Sequence, residues 1–173
     1  MSIVVKENKT EYAVPEEGLH AAVCCDVDDL QLVTTAFGQK HMIRIGWQLE
    51  TANEETGKRF IVWKRYNLSL NSKSTLRRDL ETWKSKPFTQ DELKNGFDLE
   101  RLLNAQCQLQ IAHGLGQDGT TWPNVIAVIG PPKGVPKLHV ENYTRVKDRP
   151  KQQGTNGIQP MQQGEATDDD LPF

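Results

Sequence analysis

The chain offers no material for a membrane span, a disulfide framework or a cofactor loop. No apolar run in its 173 residues reaches the ~18–20 that a spanning helix needs. The opening Met-Ser-Ile-Val-Val-Lys-Glu lacks the apolar stretch of a signal peptide, so a soluble, cytoplasmic protein is expected. Its three cysteines, Cys24, Cys25 and Cys107, are odd in number and form no Cys-x-x-Cys pair. That spacing argues against a disulfide scaffold or a zinc site and leaves them as small apolar residues in strands. There is no phosphate loop, no Gly-x-Ser-x-Gly and no His-Glu-x-x-His. The histidines (His20, His41, His113, His139) and the acids Asp26, Asp28 and Asp29 fall into no metal-ligand spacing. The expectation is a binding protein without catalysis, cofactor or metal.

The charge that is present is unevenly placed. The formal net charge of −2 and the pI near 6.1 hide a basic middle between acidic ends. Residues 1–36 carry Lys6 and Lys9 against seven acids, whereas residues 37–86 carry eleven Lys and Arg against five acids. Residues 148–173 return to two cations against five acids. A local positive field can track phosphates whatever the sign of the whole chain. Hydrophobic content of 36% and mean hydropathy of −0.62 suit one folded domain with a polar appendage.

Residues 148–167 hold five Gln, three Gly and two Pro and read as a flexible linker. A coil of that length reaches roughly 25 Å on average. It leads to Asp168-Asp169-Asp170-Leu171-Pro172-Phe173. Phe173 suits an apolar pocket with its α-carboxylate on a cation, and the three Asp suit a basic rim. Pro172 favours an extended Leu171 and lowers the entropy lost on docking. This tip resembles that of bacterial single-stranded DNA-binding proteins, Asp-Asp-Asp-Ile-Pro-Phe, with only Leu171 departing. The resemblance implies a docking peptide for replication, recombination and repair proteins.

The folded part, residues 1–147, reads mainly as strands. Leu19 to Val27 and Leu30 to Thr35 form an interrupted first strand, with a bulge or bend at Asp28-Asp29. His41 to Glu50 alternates, placing Ile43, Ile45, Trp47 and Leu49 on one face. Arg59 to Leu70 alternates as well, with Phe60, Val62, Tyr66, Leu68 and Leu70 on one face and Arg59, Ile61, Trp63, Arg65 and Asn67 on the other. A helix capped by Ser72 or Ser74 carries Leu76, Leu80 and Trp83 and stops at Pro87. Thr89 and Glu92 make a capping box for a second helix, and Asp98 caps a further turn. A strand through Cys107, Leu109 and Ile111 then leads through the Asp118-Gly119 turn to Val125–Ile129. An edge strand around Leu138 to Val146 is also expected.

The order of three strands, helical insert and two strands is that of an OB-fold, a five-stranded, partly open barrel. With the linker and tip, the whole chain resembles a single-stranded DNA-binding protein, and its enlarged helical segment is closer to phage-encoded versions. The resemblance implies single-stranded DNA as ligand, a homo-oligomer, and a place in the host cytoplasm if phage-encoded. Only the tip residues carry over position by position.

The chemistry expected of the middle segment is phosphate contact plus base stacking. Arg44, Arg59, Lys64 and Arg65 are the candidate phosphate contacts. Cations of the first helix (Lys73, Arg77, Arg78, Lys84, Lys86) are either extras on that path or a solvated face. Trp63, flanked by Arg59 and Arg65 in extended form, is either a stacking platform or a core residue. Trp47 and Tyr66 read as core. The loops Thr34 to Lys40 and Gly114 to Trp122 add Phe37, Lys40, His41 and Trp122 as further candidates. Two rivals are a decoy that occupies host partners through the tip alone and a duplex-binding recombination accessory.

Overall fold

The computed structural model describes residues 13–150. Most of the expected linker and the whole tip, Asp168 to Phe173, lie outside the described residues. The chain divides into a unit Met1–Tyr143 and a unit Thr144–Phe173. In the second, Val146–Asp148 form a 3-10 turn.

The first unit is mainly β. Its strands are β1 (Gly18–Thr35), β2 (Gly38–Ala52), β3 (Arg59–Asn67), β4 (Gln106–Leu115) and β5 (Thr121–Ile129). They form one antiparallel sheet in the order β3-β2-β1-β4-β5, which leaves β3 and β5 as edges, so the sheet is not closed. Cα atoms of β5 nevertheless come within 8 Å of β3, and helix α1 (Thr75–Lys84) contacts both. Between β3 and β4 lie α1, the short α2 (Gln90–Asn95) and a 3-10 turn at Leu99–Leu102. Pro123 sits on the edge strand β5, where a missing N–H does least harm.

β1 is continuous through the expected interruption. Its ladder to β2 slips between Cys24 and Asp26 and again between Asp29 and Gln31, so the irregularities bracket the acids. Gln31 takes a φ of 60°, and its N–H donates to Asp29 Oδ1. That N–H, with the His41 ring behind it, holds the Asp29 carboxyl below its ordinary range.

Alternation places the core. Ile43, Ile45, Trp47 and Leu49 are all buried, together with Val62 and Tyr66 of β3, Leu109 and Ile111 of β4, and Val125 and Val128 of β5. Leu76, Leu80 and Trp83 of α1 close over them, and Trp83 packs 6.1 Å from Trp47. Leu68 departs from the expected face and is exposed, because β3 ends at Asn67 and the two-residue period ends with it.

The helical caps follow the local sequence. The Ser74 side chain accepts from Arg77 N–H, Thr89 and Glu92 complete the capping box, and Asp98 accepts from Glu100 N–H. Helix α1 ends before Pro87, with Ser85 left-handed at φ 59°. Lys84 ties the insert together: its ammonium is 2.9 Å from Glu92 Oε2 and 4.0 Å from the Phe88 ring centroid. The Lys84 bond, followed by the Thr89 N–H, holds the Glu92 carboxyl at about 2. No helix among the described residues is long and apolar enough to cross a membrane.

Candidate nucleic-acid interface

The face of β1-β2-β3 opposite the core is organised in cross-strand rows. One row runs Asp26–Gly46–Trp63, and the next runs Asp28–Arg44–Arg65. Then come Gln31–Met42–Asn67 and Val33–Lys40. Beyond Met42 the ladder runs only between β1 and β2, which form a two-stranded arm with Phe37 in its turn. Phe37 is 89% exposed, and Lys40 Nζ lies 5.8 Å from its ring centroid. Leu32 on the same arm is also exposed.

Trp63 belongs to this outer face and is half-buried rather than part of the core. Its six-membered ring lies on Gly46: a Cβ at that glycine would meet ring carbons at 2.8–2.9 Å. Arg44 Cζ stands over the indole, 4.5 Å from its centroid, and Arg44 Nε donates to Asp28 Oδ2 at 2.8 Å. The arrangement expected, Trp63 between Arg59 and Arg65, differs here: Arg44 of the neighbouring strand stands over the indole, and the Gly46 backbone lies against the ring.

Arg59 is engaged elsewhere. The ladder to β2 shifts between Gln48 and Ala52, and Arg59 donates from Nε to Leu49 O and from Nη1 to His139 O, both at 2.6 Å. Lys64 points to the core side. Its ammonium is 2.8 Å from Asp79 Oδ2, an oxygen that also accepts from Tyr66 Oη, while Arg78 reaches Oδ1. Burial first, and then the Asp79 charge, push the Tyr66 hydroxyl well up. Among the helix cations, Arg77 pairs with Glu81, Arg78 with Asp79 and Lys84 with Glu92. The groups brought together on the outer face are thus Trp63, Arg44, Arg65 and Lys40, with Phe37 at the end of the arm.

Trp122 is not among them. It is the second residue of β5, opposite Gly114, and a Cβ at that glycine would come within 2.5 Å of the indole. Gly114 lies eight residues along β4 from Gln106, on the order of 25 Å of strand.

The other end of the outer face is covered by the chain itself. The edge strand expected around Leu138 to Val146 is absent; two glutamine side chains hold residues 136–141 instead. Gln48 Nε2 donates to Glu141 O at 2.7 Å, and Glu141 N–H donates back to Gln48 Oε1 at 2.8 Å. Gln106 does the same with Pro136 O and Leu138 N–H, both at 3.2 Å. Val23, which is register-paired with both glutamines, is fully buried on this outer row. The segment ends at Tyr143, whose hydroxyl donates to the buried Asp26 carboxylate at 2.6 Å. Sequence reasoning missed Asp28, Gly46, Gln48, Gln106 and Tyr143. Of these only Gly46 carried a local signal, a glycine inside an otherwise regular strand, which marks a close approach.

Among the described residues, no three His, Cys, Asp or Glu side chains gather as a metal site. No protein-family model matches the chain, and no curated protein is significantly similar to it.

Proposed function

We propose that this chain is a non-catalytic, sequence-tolerant binder of single-stranded DNA in replication or recombination, and that its C-terminal tip recruits partner proteins. One observation carries the reading: Trp63, Arg44, Arg65 and Lys40 share one sheet face that leads to the exposed Phe37. Aromatic planes interleaved with cations along a path are what a single strand needs. Each base offers a π-face worth ~1–3 kcal/mol on stacking, and each phosphate offers a charge.

The fold supports an OB-like barrel for this role. The strand order, the approach of β5 to β3, and α1 set against both edges are what a partly open five-stranded barrel with its helix after the third strand would have. In that fold the β2–β3 face and the β1–β2 loop meet the ligand, and here those are the Trp63 rows and the Phe37 arm. Arg65 and Lys40 meet phosphates, Phe37 and the Trp63 layer meet bases, and Trp122 serves only a longer strand. The tip resemblance supplies the second half of the reading, partner recruitment through Asp168 to Phe173, and also a homo-oligomeric assembly.

The test is fluorescence anisotropy of labelled oligothymidine against a duplex of equal length, at two salt concentrations. Tight, salt-sensitive binding that favours the single strand is expected. Absence of that preference would overturn the DNA-binding half and leave a decoy acting through the tip.

A further inference from the structure

The geometry points to Arg44 as a base-stacking group rather than a phosphate contact, held in that role by Asp28. This rests on the single-stranded DNA reading above.

Three contacts define the site. Gly46 has no side chain and gives the Trp63 indole a flat seat on the sheet. With that side of the ring occupied by backbone, the Arg44 guanidinium lies over the indole, Cζ 4.5 Å from the centroid. Asp28, the direct cross-strand neighbour of Arg44, accepts from its Nε at 2.8 Å. A guanidinium is planar and delocalised, and it stacks on aromatic faces in a way an ammonium does not. Fixing Nε to a carboxylate while the plane rests on an indole leaves that plane little freedom, so it is preorganised before any ligand arrives.

The same carboxylate largely cancels the charge. Arg44 and Asp28 are a close ion pair, with side chains only 24% and 16% exposed, so together they offer a phosphate little net attraction. What they offer is a surface. Guanidinium planes stack on unpaired bases as aromatic rings do. A base arriving at this row meets Arg44 on Trp63 on Gly46, while its phosphates are left to Arg65 and Lys40. Asp28 is a positioning residue, and its acidic charge on a DNA-facing surface is explained by that role.

The test uses the full chain and oligothymidine anisotropy over a range of salt. The double variant Asp28→Asn/Arg44→Gln keeps the net charge and removes the stacked plane. It is expected to bind roughly 5- to 150-fold more weakly, with an unchanged salt slope. Arg44→Lys keeps the charge and the partner but lacks the plane, and the same loss is expected. Asp28→Ala removes a negative charge, so simple electrostatics calls for tighter binding, whereas loss of orientation calls for weaker binding; weaker is expected. Wild-type affinity in the double variant or in Arg44→Lys, or tighter binding by Asp28→Ala, would overturn the inference while leaving the DNA-binding reading intact. A wild-type chain with no preference for single strands would fail the reading itself, before any variant is made. If thermal melting shows the double variant unfolded, Arg44→Lys decides.

Discussion

Trp63 lies flat across Gly46, its direct partner on the neighbouring strand, so closely that one added methyl group would sit 2.8 Å from a ring carbon. A glycine inside a strand costs backbone entropy, and here the return is a shelf for an indole on the outer face of the sheet. Gly46→Ala must therefore lift the ring or shift the strand. We expect a loss of about 1–3 kcal/mol in urea denaturation, together with weaker oligothymidine binding. Unchanged stability would mean that the indole is not seated there.

Lys64 and Arg65 are adjacent in the chain and lie on opposite faces of β3. Lys64→Met leaves the nearly buried Asp79 carboxylate without its ammonium, and the loss should be on the order of 3 kcal/mol in denaturant titrations. The salt slope of DNA binding should not change. Arg65→Ala should weaken binding and lower that slope by ~0.7, the value for one phosphate contact on a single strand. Interchanged results would reassign the two cations.

Phe37 is the most exposed large apolar side chain among the described residues. Since it buries little, Phe37→Ala should shift stability by no more than about 0.5 kcal/mol. Its affinity for oligothymidine should fall by ~1–3 kcal/mol if it stacks on a base. Equal affinity would remove the arm tip from the path.

The Lys84–Glu92 contact has a defined pH window. Glu92 is held at about 2 against an ordinary value of 4.5, so its ionised form is favoured by the fold. The stabilisation is fully present above pH 4.5 and is lost as the pH falls through about 2. The melting temperature of the wild type should exceed that of Glu92→Gln near pH 6, and the gap should shrink steadily below pH 4.5. A gap that does not vary with pH would assign the effect to packing instead.

Deleting residues 168–173 should leave oligothymidine affinity equal or slightly raised, because a tethered acidic segment competes weakly with DNA for cations. Capture of replication and recombination proteins should be abolished by the same deletion. A large loss of DNA affinity would contradict the division of labour between domain and tip.

Much of the architecture was legible because it is local. Alternation from Ile43 to Leu49 marked the buried face of β2, and Ser72 or Ser74, Thr89 and Asp98 announced their helices, with Ser74 the cap the structure uses, since a cap bonds to N–H groups two or three residues away. The side of β3 on which Lys64 falls was also readable, because it stands between Val62 and Tyr66 in the two-residue period. Its partner was not, since Asp79 comes from a helix that begins eight residues after β3 ends.

Residues 136–141, at the start of the edge strand expected around Leu138 to Val146, form no strand for a similar reason. Their backbone groups are satisfied by the amides of Gln48 and Gln106 rather than by a ladder. No period within a segment can show that its hydrogen-bond partners are side chains 30 to 93 residues away.

The sequence by itself determined the five strands of the sheet, the place of the helical insert and its caps, and the concentration of positive charge in residues 37–86. Each of these follows from the chemistry of neighbouring residues. Only the tertiary structure decided which partner these cations meet. It placed Arg59 against the carbonyls of Leu49 and His139, paired Lys64, Arg77, Arg78 and Lys84 with acids, and laid Arg44 over Trp63. The reason is register: which charge meets which partner depends on how strands and helices distant in the chain are aligned, and composition carries no record of that alignment.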